Sequence, residues 1–360
     1  MKIPQYIYIT EKKNETKKAF ERVFQSEQPK RVLIVTSISP LMKVKWLFDY
    51  LLSNRTKAEK LLVEKSDKKA LEKTVNRIEN GSFDFCIGIG GGKILDIAKY
   101  ASFVEKIRFL SFPTLLSHDG IASPVAVIRD GKHWSESRRA ESPYAVIIDL
   151  KTVVGAPTAS LLSGIGDLVA NLFASIDADV FKEKNKKAYS ELATGIARSA
   201  SLFVFPRFSK ISLKKISKND LKHLAWGLVL SGISMSIAGN SRPASGAEHK
   251  ISHAIDYLFS LPVSHGFTVS IGNVISAFLH QRYRKEIIEF NYSLGLPVFS
   301  EDIGIKKEEF VNVVLYASKI KPDRYTILEE KNLTKRGVMN LLDEIEEARR
   351  EVESRFERTE

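Results

Sequence analysis

The residues best placed to do chemistry lie in SRPASGAEHKISHAID (241–256) and SHGFTV (264–269). His249 and His253 are four residues apart, so on a helix they share one face, one turn from each other. His265 arrives on a following segment, beside Gly266. Two neutral imidazoles from separate segments, joined by a carboxylate from elsewhere, make a divalent-metal site that keeps positions open for a substrate. An open site does chemistry; a closed one mainly holds a fold.

Upstream, GIGDLVAN (164–171) sets Asp167 in an apolar stretch behind two glycines. A Gly-Asp pair there is ordinarily a helix N-cap, and a metal ligand is the other reading. GIGGGKILDIAK (88–99) closes a predicted strand and opens a predicted helix. Its three consecutive glycines and the helix N-terminus suit a phosphate. It is no Walker A loop, because Ile94 follows Lys93 where Ser or Thr is required. Nor does it follow the first predicted strand, as the usual dinucleotide fingerprint does. TLLSHDGIASP (114–124) is dense in small polar groups and comes after the next strand, where a loop faces the ligand crevice of a parallel sheet. Within it, His118 and Asp119 taken alone read as residues that cap or solvate the loop, with a ligand contact the other reading. His133, His223 and His280 have lysine or arginine neighbours and read as surface residues.

The scaffold that must position these groups changes character along the chain. Candidate strands at 31–37, 60–65, 83–90, 107–113, 125–130 and 144–150 alternate with candidate helices at 16–26, 41–53, 67–80 and 93–104. That alternation predicts a parallel α/β sheet. Helical periodicity then dominates: 160–181, 186–206, 218–238, 245–259, 266–281, 283–294, 307–318 and 333–357. The fold class is therefore an α/β N-terminal domain, 1–155, followed by an all-α domain, 156–360, joined at Gly155-Ala156-Pro157.

Composition narrows the setting. With 360 residues, 44% of them hydrophobic and 27% charged, the chain has the make-up of a globular protein. The single cysteine, Cys86, rules out an intrachain disulfide and a cysteine-based zinc site, and fits a reducing, cytoplasmic setting. The opening MKIPQYIYITEKK has no apolar core of a signal peptide. The uncharged run LAWGLVLSGISMSIAGNS (224–241) is long enough to span a bilayer, but its interspersed Gly and Ser suit close packing inside a core, so no membrane insertion is expected. The net charge of +12 comes from lysines dispersed over many segments, without a zinc-finger, basic-zipper or RNA-recognition signature. Nucleic acid is not the expected partner; a positive field that draws in a phosphorylated small molecule is.

Taken in order, GxGGGKxxDxAK, SHDGIASP, GxGD, SRPASGxEHxxSHAxD and HG resemble the archaeal-type sn-glycerol-1-phosphate dehydrogenases. These belong to the superfamily of iron-containing alcohol dehydrogenases, glycerol dehydrogenases and dehydroquinate synthases. The resemblance runs from about residue 30 to PDRYTIL (322–328). It implies a dehydroquinate synthase-like two-domain fold with the site in the interdomain cleft, the first domain binding a dinucleotide and the second a metal and the substrate. By motif, Asp167, His249 and His265 would hold the metal. Gly91, Gly92, Lys93 and Asp96 would lie along NAD or NADP, with Thr114, Ser117 and Ser123. Asp119, Asp167 and His253 would contact the substrate and carry catalysis, His253 as proton relay.

The implied reaction is reduction of dihydroxyacetone phosphate to sn-glycerol 1-phosphate, the backbone of archaeal-type ether phospholipids. A homo-oligomer is the expected assembly. The sulfur-free ligand set fits Zn²⁺, and equally Fe²⁺ or Ni²⁺. No carboxylate follows Thr36-Ser37 to claim a ribose hydroxyl, which leaves NADPH open beside NADH. Arg242 or Lys250, by nearness in sequence, is the expected cation for the substrate phosphate. Two positions depart from the family: Phe267 stands where relatives carry an acid after His-Gly, and Leu115-Leu116 is bulkier than expected in the cofactor loop. Within the superfamily the rival activities are a glycerol or polyol dehydrogenase and a dehydroquinate-synthase-like lyase. SRPASG, and Asp as the first ligand in place of Glu, argue against the lyase.

Overall fold

A computed structural model describes residues 2–53, 57–129, 135–184, 189–209 and 216–357. His133 lies outside them. The first half supplies β1 (Tyr6–Thr10), α1 (Lys13–Glu27), β2 (Arg31–Thr36), α2 (Ile38–Lys43), α3 (Lys45–Ser53), β3 (Lys57–Leu62), α4 (Lys68–Gly81), β4 (Phe85–Gly90), α5 (Gly92–Val104) and β5 (Arg108–Pro113). After β5 come β6 (Val125–Arg129), β7 (Ser135–Arg139), β8 (Ala145–Asp149) and α6 (Leu150–Val154). Six strands form one parallel sheet in the order β1-β8-β5-β4-β2-β3. Helices cover both faces, so inner strands such as RVLIVT and FCIGIG are apolar on both sides.

Alternate strand residues sort to opposite faces. Val32, Ile34, Phe85 and Ile87 pack with α1 and α3 in one cluster, while Leu33, Val35 and Cys86 join α5 in another that continues into the helical half. One core thus spans the 155–157 junction. From β2 the chain steps outward to β3 and returns on the other side of β2 as β4. The carboxyl ends of β2 and β4 therefore flank a topological switch point, where such sheets leave a ligand crevice.

Three expectations need correction. The 125–130 segment is no part of the parallel sheet: it pairs antiparallel with β7 in a separate hairpin. β1 escaped notice because YIYIT is an edge strand, mostly half-buried, beside β8. β3 starts and ends three residues early.

The second half is helical: α7 (Thr158–Lys184), α8 (Glu191–Leu202), α9 (Phe205–Phe208), α10 (Lys218–Ala238), α11 (Ala247–Phe259), α12 (His265–His280), α13 (Arg284–Leu294), α14 (Lys307–Ala317), α15 (Ile327–Lys331) and α16 (Lys335–Glu357). Both α7 and α10 are long and apolar enough to cross a membrane, yet 83% and 61% of their apolar windows are buried within this protein.

Candidate active site

Close helix packing builds the site. A methyl group on Gly266 would lie 1.8 Å from the Ser163 carbonyl oxygen, so only glycine lets the start of α12 rest on α7. The Gly266 N–H donates to Ser163 Oγ at 3.1 Å, and that hydroxyl donates to the Ser117 carbonyl in the loop after β5 at 3.0 Å. These contacts carry Asp167 and His265 to one point beside the sheet's ligand edge. Asp167 sits well inside the long α7, so the N-cap reading of the Gly-Asp pair does not hold.

His249 comes from the first turn of α11, which starts at Gly246 without a side-chain cap of its own. Asp177 of α7 supplies one instead, accepting from the Ala247 N–H at 2.7 Å. The other oxygen of Asp177 accepts from the Ile327 N–H at 2.7 Å and pairs with His280 at 3.1 Å. His280 is thereby a buried structural residue, against the surface reading; His223 is half-buried, bonded to its own helix through the Asn219 carbonyl.

Ligand atoms of Asp167, His249 and His265 all lie within 4.8 Å of one another. His249 Nε2 is 3.4 Å and His265 Nε2 3.6 Å from the same Asp167 oxygen. One carboxylate and two imidazoles converging on one point is a donor set that suits a divalent cation. The far nitrogen of each ring has its own partner. His249 Nδ1 faces Glu248 Oε1 at 2.9 Å, and Glu248 is wholly buried. His265 Nδ1 faces Ser252 Oγ at 3.4 Å. Thr268 Oγ1 donates to the His265 carbonyl and lies 2.6 Å from Ser252 Oγ. Each hydroxyl has one proton. Thr268 spends its own on the carbonyl, so Ser252 donates to Thr268 and accepts from the imidazole N–H. Both rings therefore carry the proton on Nδ1 and turn Nε2 to Asp167.

Around this cluster stand His253 and Asp119. His253 lies with its ring centre 6.0 Å from that of His265 and 6.4 Å from that of His249. Burial, then the positive charge of Lys321, pushes His253 well below its ordinary value, so it is neutral near neutral pH. Asp119 opens a single 3₁₀ turn; its N–H donates to Asp167 Oδ2 at 2.9 Å and its carboxyl accepts from Ser231 Oγ at 2.6 Å. Burial and the Asp167 charge raise Asp119 to about 7. For Asp167 burial acts upward too, but the hydrogen bond with His249 and the nearby imidazoles outweigh it and hold the carboxyl low.

The glycine loop lies against the His118 ring, next to the turn that holds Asp119. Gly91 begins α5 with no side-chain cap, which leaves the first-turn N–H groups without a side-chain partner, as a phosphate requires. A methyl group on Gly92 would collide with the His118 ring, which covers the loop from the next strand's end. Lys93 is exposed. Asp96, expected along the cofactor, is buried and ties α5 to β6: it accepts from the Val127 N–H and from Lys99. Thr114 and Ser123 are buried and Ser117 half-buried in the adjoining loop. Of its two bulky residues, Leu116 is core and Leu115 lies over Gly91. Phe267 is half-buried and packs against the hydrophobic core. Glu248, Ser231, Ser252, Thr268 and Asp177 are functional partners that sequence reasoning missed; the first four lie in or near quoted motifs but carry no spacing signal of their own.

A family model described as iron-containing alcohol dehydrogenase matches residues 12–157. Glycerol-1-phosphate dehydrogenase [NAD(P)+] of Thermococcus sibiricus is 38% identical over 275 residues, covering 76% of this chain and 78% of its own. The enzyme of that name from Saccharolobus islandicus is 34% identical over 305 residues, covering 84% and 85%. Among solved structures, glycerol dehydrogenase from Schizosaccharomyces pombe superposes with a TM-score of 0.81 at 18% identity, covering all of this chain and 93% of its own. A probable glycerol dehydrogenase from Sinorhizobium meliloti gives 0.75 at 22%, covering 98% and 99%. At those identities the structural likeness speaks to the fold, which is that of the two-domain dehydrogenases.

Proposed function

The chain belongs to the glycerol-1-phosphate dehydrogenases of the iron-containing alcohol dehydrogenase superfamily, and from that premise we propose how its cleft performs the reaction. The enzyme is an NAD(P)-dependent oxidoreductase that forms glycerol 1-phosphate from dihydroxyacetone phosphate. The observation that carries the mechanism is the convergence of Asp167, His249 and His265, with Asp119 and His253 beside them.

Those three residues would hold a divalent metal ion, with Zn²⁺ the first choice for one carboxylate and two imidazoles. When bound, the metal supplies Lewis acidity toward the ketone oxygen and the nicotinamide supplies the hydride. The rest is the work of the chain. Gly91, Gly92 and the α5 N-terminus receive the dinucleotide phosphates, Lys93 adds a positive charge, and Asp96 ties α5 to β6. Thr114, Ser117 and Ser123 line the same crevice. Asp119, fixed by Ser231, orients the substrate hydroxyl next to Asp167. His253, neutral and free of metal duty, relays a proton: one ring nitrogen gives its N–H proton to the oxygen that was the ketone while the other nitrogen takes a proton from water, so the ring ends neutral.

The test is oxidation of NADH and of NADPH by dihydroxyacetone phosphate, before and after chelation, with the stereochemistry of the product resolved. Metal-dependent oxidation yielding the sn-1 product is expected. Turnover of free glycerol in preference to the phosphate would make it a polyol dehydrogenase instead.

A further inference from the structure

The phosphate of the substrate needs a cation, and the 241–250 and 318–329 segments, which pack on one another beside the histidines, carry four: Arg242, Lys250, Lys321 and Arg324. Three are already committed. Lys250 Nζ donates to Glu329 at 2.6 Å, to the Arg324 carbonyl at 3.0 Å and to the Ser318 carbonyl at 3.4 Å. Arg242 lies over the Phe181 ring and donates to the Tyr325 and Asp323 carbonyls at 3.1 and 3.3 Å. Arg324 donates to the Ser245 carbonyl at 2.6 Å and to Ser241 Oγ at 2.8 Å. Together they clamp the 318–329 segment onto the stretch that leads into α11. The two cations favoured by nearness in sequence are thus structural.

Lys321 is different. It sits between α14 and α15 in a left-handed conformation (φ 47°), in a turn closed by the Arg324 N–H on its carbonyl at 2.8 Å. Its ammonium has no hydrogen-bond acceptor and no carboxylate in ion-pair range among the described residues. Lys250 Nζ, one turn before His253 on α11, donates to the Ser318 and Arg324 carbonyls on either side of Lys321, so the turn that carries this ammonium lies against the helix of His249 and His253, and its positive charge acts on His253. The residue is half-buried, so a small anion in the cleft can meet it. Burial, then the charge of Arg324, lowers the ammonium to about 8, which leaves it mainly protonated at neutral pH.

We propose that Lys321 is the cation that receives the substrate phosphate, and that it selects a phosphorylated ketone over the free one. This rests on the reading of the cleft given above. An ammonium beyond His253 would hold the phosphate end while the carbonyl end lies at Asp167, His249 and His265. A charge-assisted contact of this kind is strong and favours a charged partner that a bare hydroxyl cannot replace.

The experiment compares wild-type holoenzyme with Lys321→Met and Lys321→Arg. Dihydroxyacetone phosphate and free dihydroxyacetone are substrates, and inorganic phosphate is both inhibitor and calorimetric ligand. In Lys321→Met, KM for the phosphorylated substrate should rise about 10- to 100-fold with a smaller change in kcat. The preference for the phosphorylated over the free ketone should fall by a similar factor, and Lys321→Arg should keep most of it. Inorganic phosphate should bind the wild type and lose affinity in Lys321→Met. An unchanged preference, or equal losses on both ketones, would overturn the assignment. A wild type that ignores dihydroxyacetone phosphate sinks the functional reading instead; phosphate binding by calorimetry still decides Lys321, because equal affinity in both proteins refutes it.

Discussion

His249 and His265 turn the same nitrogen to the same carboxylate, yet the protein holds them by different chemistry. Behind His249 stands Glu248, wholly buried, 2.9 Å from Nδ1 and itself anchored by the Gly246 N–H at 2.5 Å. Behind His265 stands a neutral pair, Ser252 and Thr268, whose contact with the ring is a long 3.4 Å. Exposure follows: the His249 side chain is 11% exposed and that of His265 34%. A carboxylate behind an imidazole fixes its tautomer and raises its basicity as a ligand, while a hydroxyl only fixes the tautomer. In the metal site proposed above, His249 would be the pre-placed ligand and His265 the adjustable one on the more exposed side. Where the family resemblance implies an acid, this chain has Phe267, and the Ser252–Thr268 hydroxyl pair stands behind the ring.

The comparison breaks most completely at Asp167, which both rings share. Asp167→Asn should cost about 10³-fold in kcat/KM and strip the metal during dialysis, since the amide removes the one anionic ligand. Retained metal with near-normal turnover would show that the convergence of the three residues has no bearing on catalysis. Next comes the carboxylate behind His249. Glu248→Gln keeps an acceptor but loses the charge, so metal affinity, measured by competition with a chromophoric chelator, should weaken about 10-fold, and about 100-fold for Glu248→Ala. If either variant bound metal as tightly as the wild type, His249 would need no buried carboxylate.

The same contrast explains what could be read from the sequence. The helix at 218–238 was legible to the residue because its caps are local: Ser217 closes a capping box with Asp220, and Gly239 is left-handed. The histidines were legible because i, i+4 spacing is itself a geometric statement. Asp167 was ambiguous, because glycines before an Asp look like a helix start; here α7 runs through Gly164 and Gly166, which serve close packing. Glu248 and Ser252 were in plain view inside the motif, but which neighbour backs which ring depends on how α11 meets α7 and α12. β7 was illegible for a related reason: SESRR has no apolar alternation and becomes a strand only by pairing with β6. Lys321 is the extreme case. Its sequence neighbours say nothing about His253, some seventy residues away, and its availability follows only from three other cations being spent.

The smaller effects lie on the His265 side and sharpen the comparison. Ser252→Ala removes the acceptor from a long, neutral contact, so metal affinity should fall by about 10-fold or less, the low end for such partners. Ser252→Ala must therefore cost less than Glu248→Ala under the same chelator; the reverse order would invert the assignment of pre-placed and adjustable ligands. Phe267→Glu places an acid where the family resemblance implies one. Phe267 packs against the helical core, and the tautomer of His265 is already fixed toward Ser252 by the proton order of Ser252 and Thr268. A carboxylate introduced there must leave an apolar contact before it can approach the ring, at a cost of about 1–2 kcal/mol from the lost burial. Phe267→Glu should thus lower Tm by a few degrees and change metal affinity less than Ser252→Ala does. A clear tightening of the metal would instead mean that the position still addresses His265, and that the hydroxyl pair is a weaker stand-in for the acid rather than a different way of holding the ring.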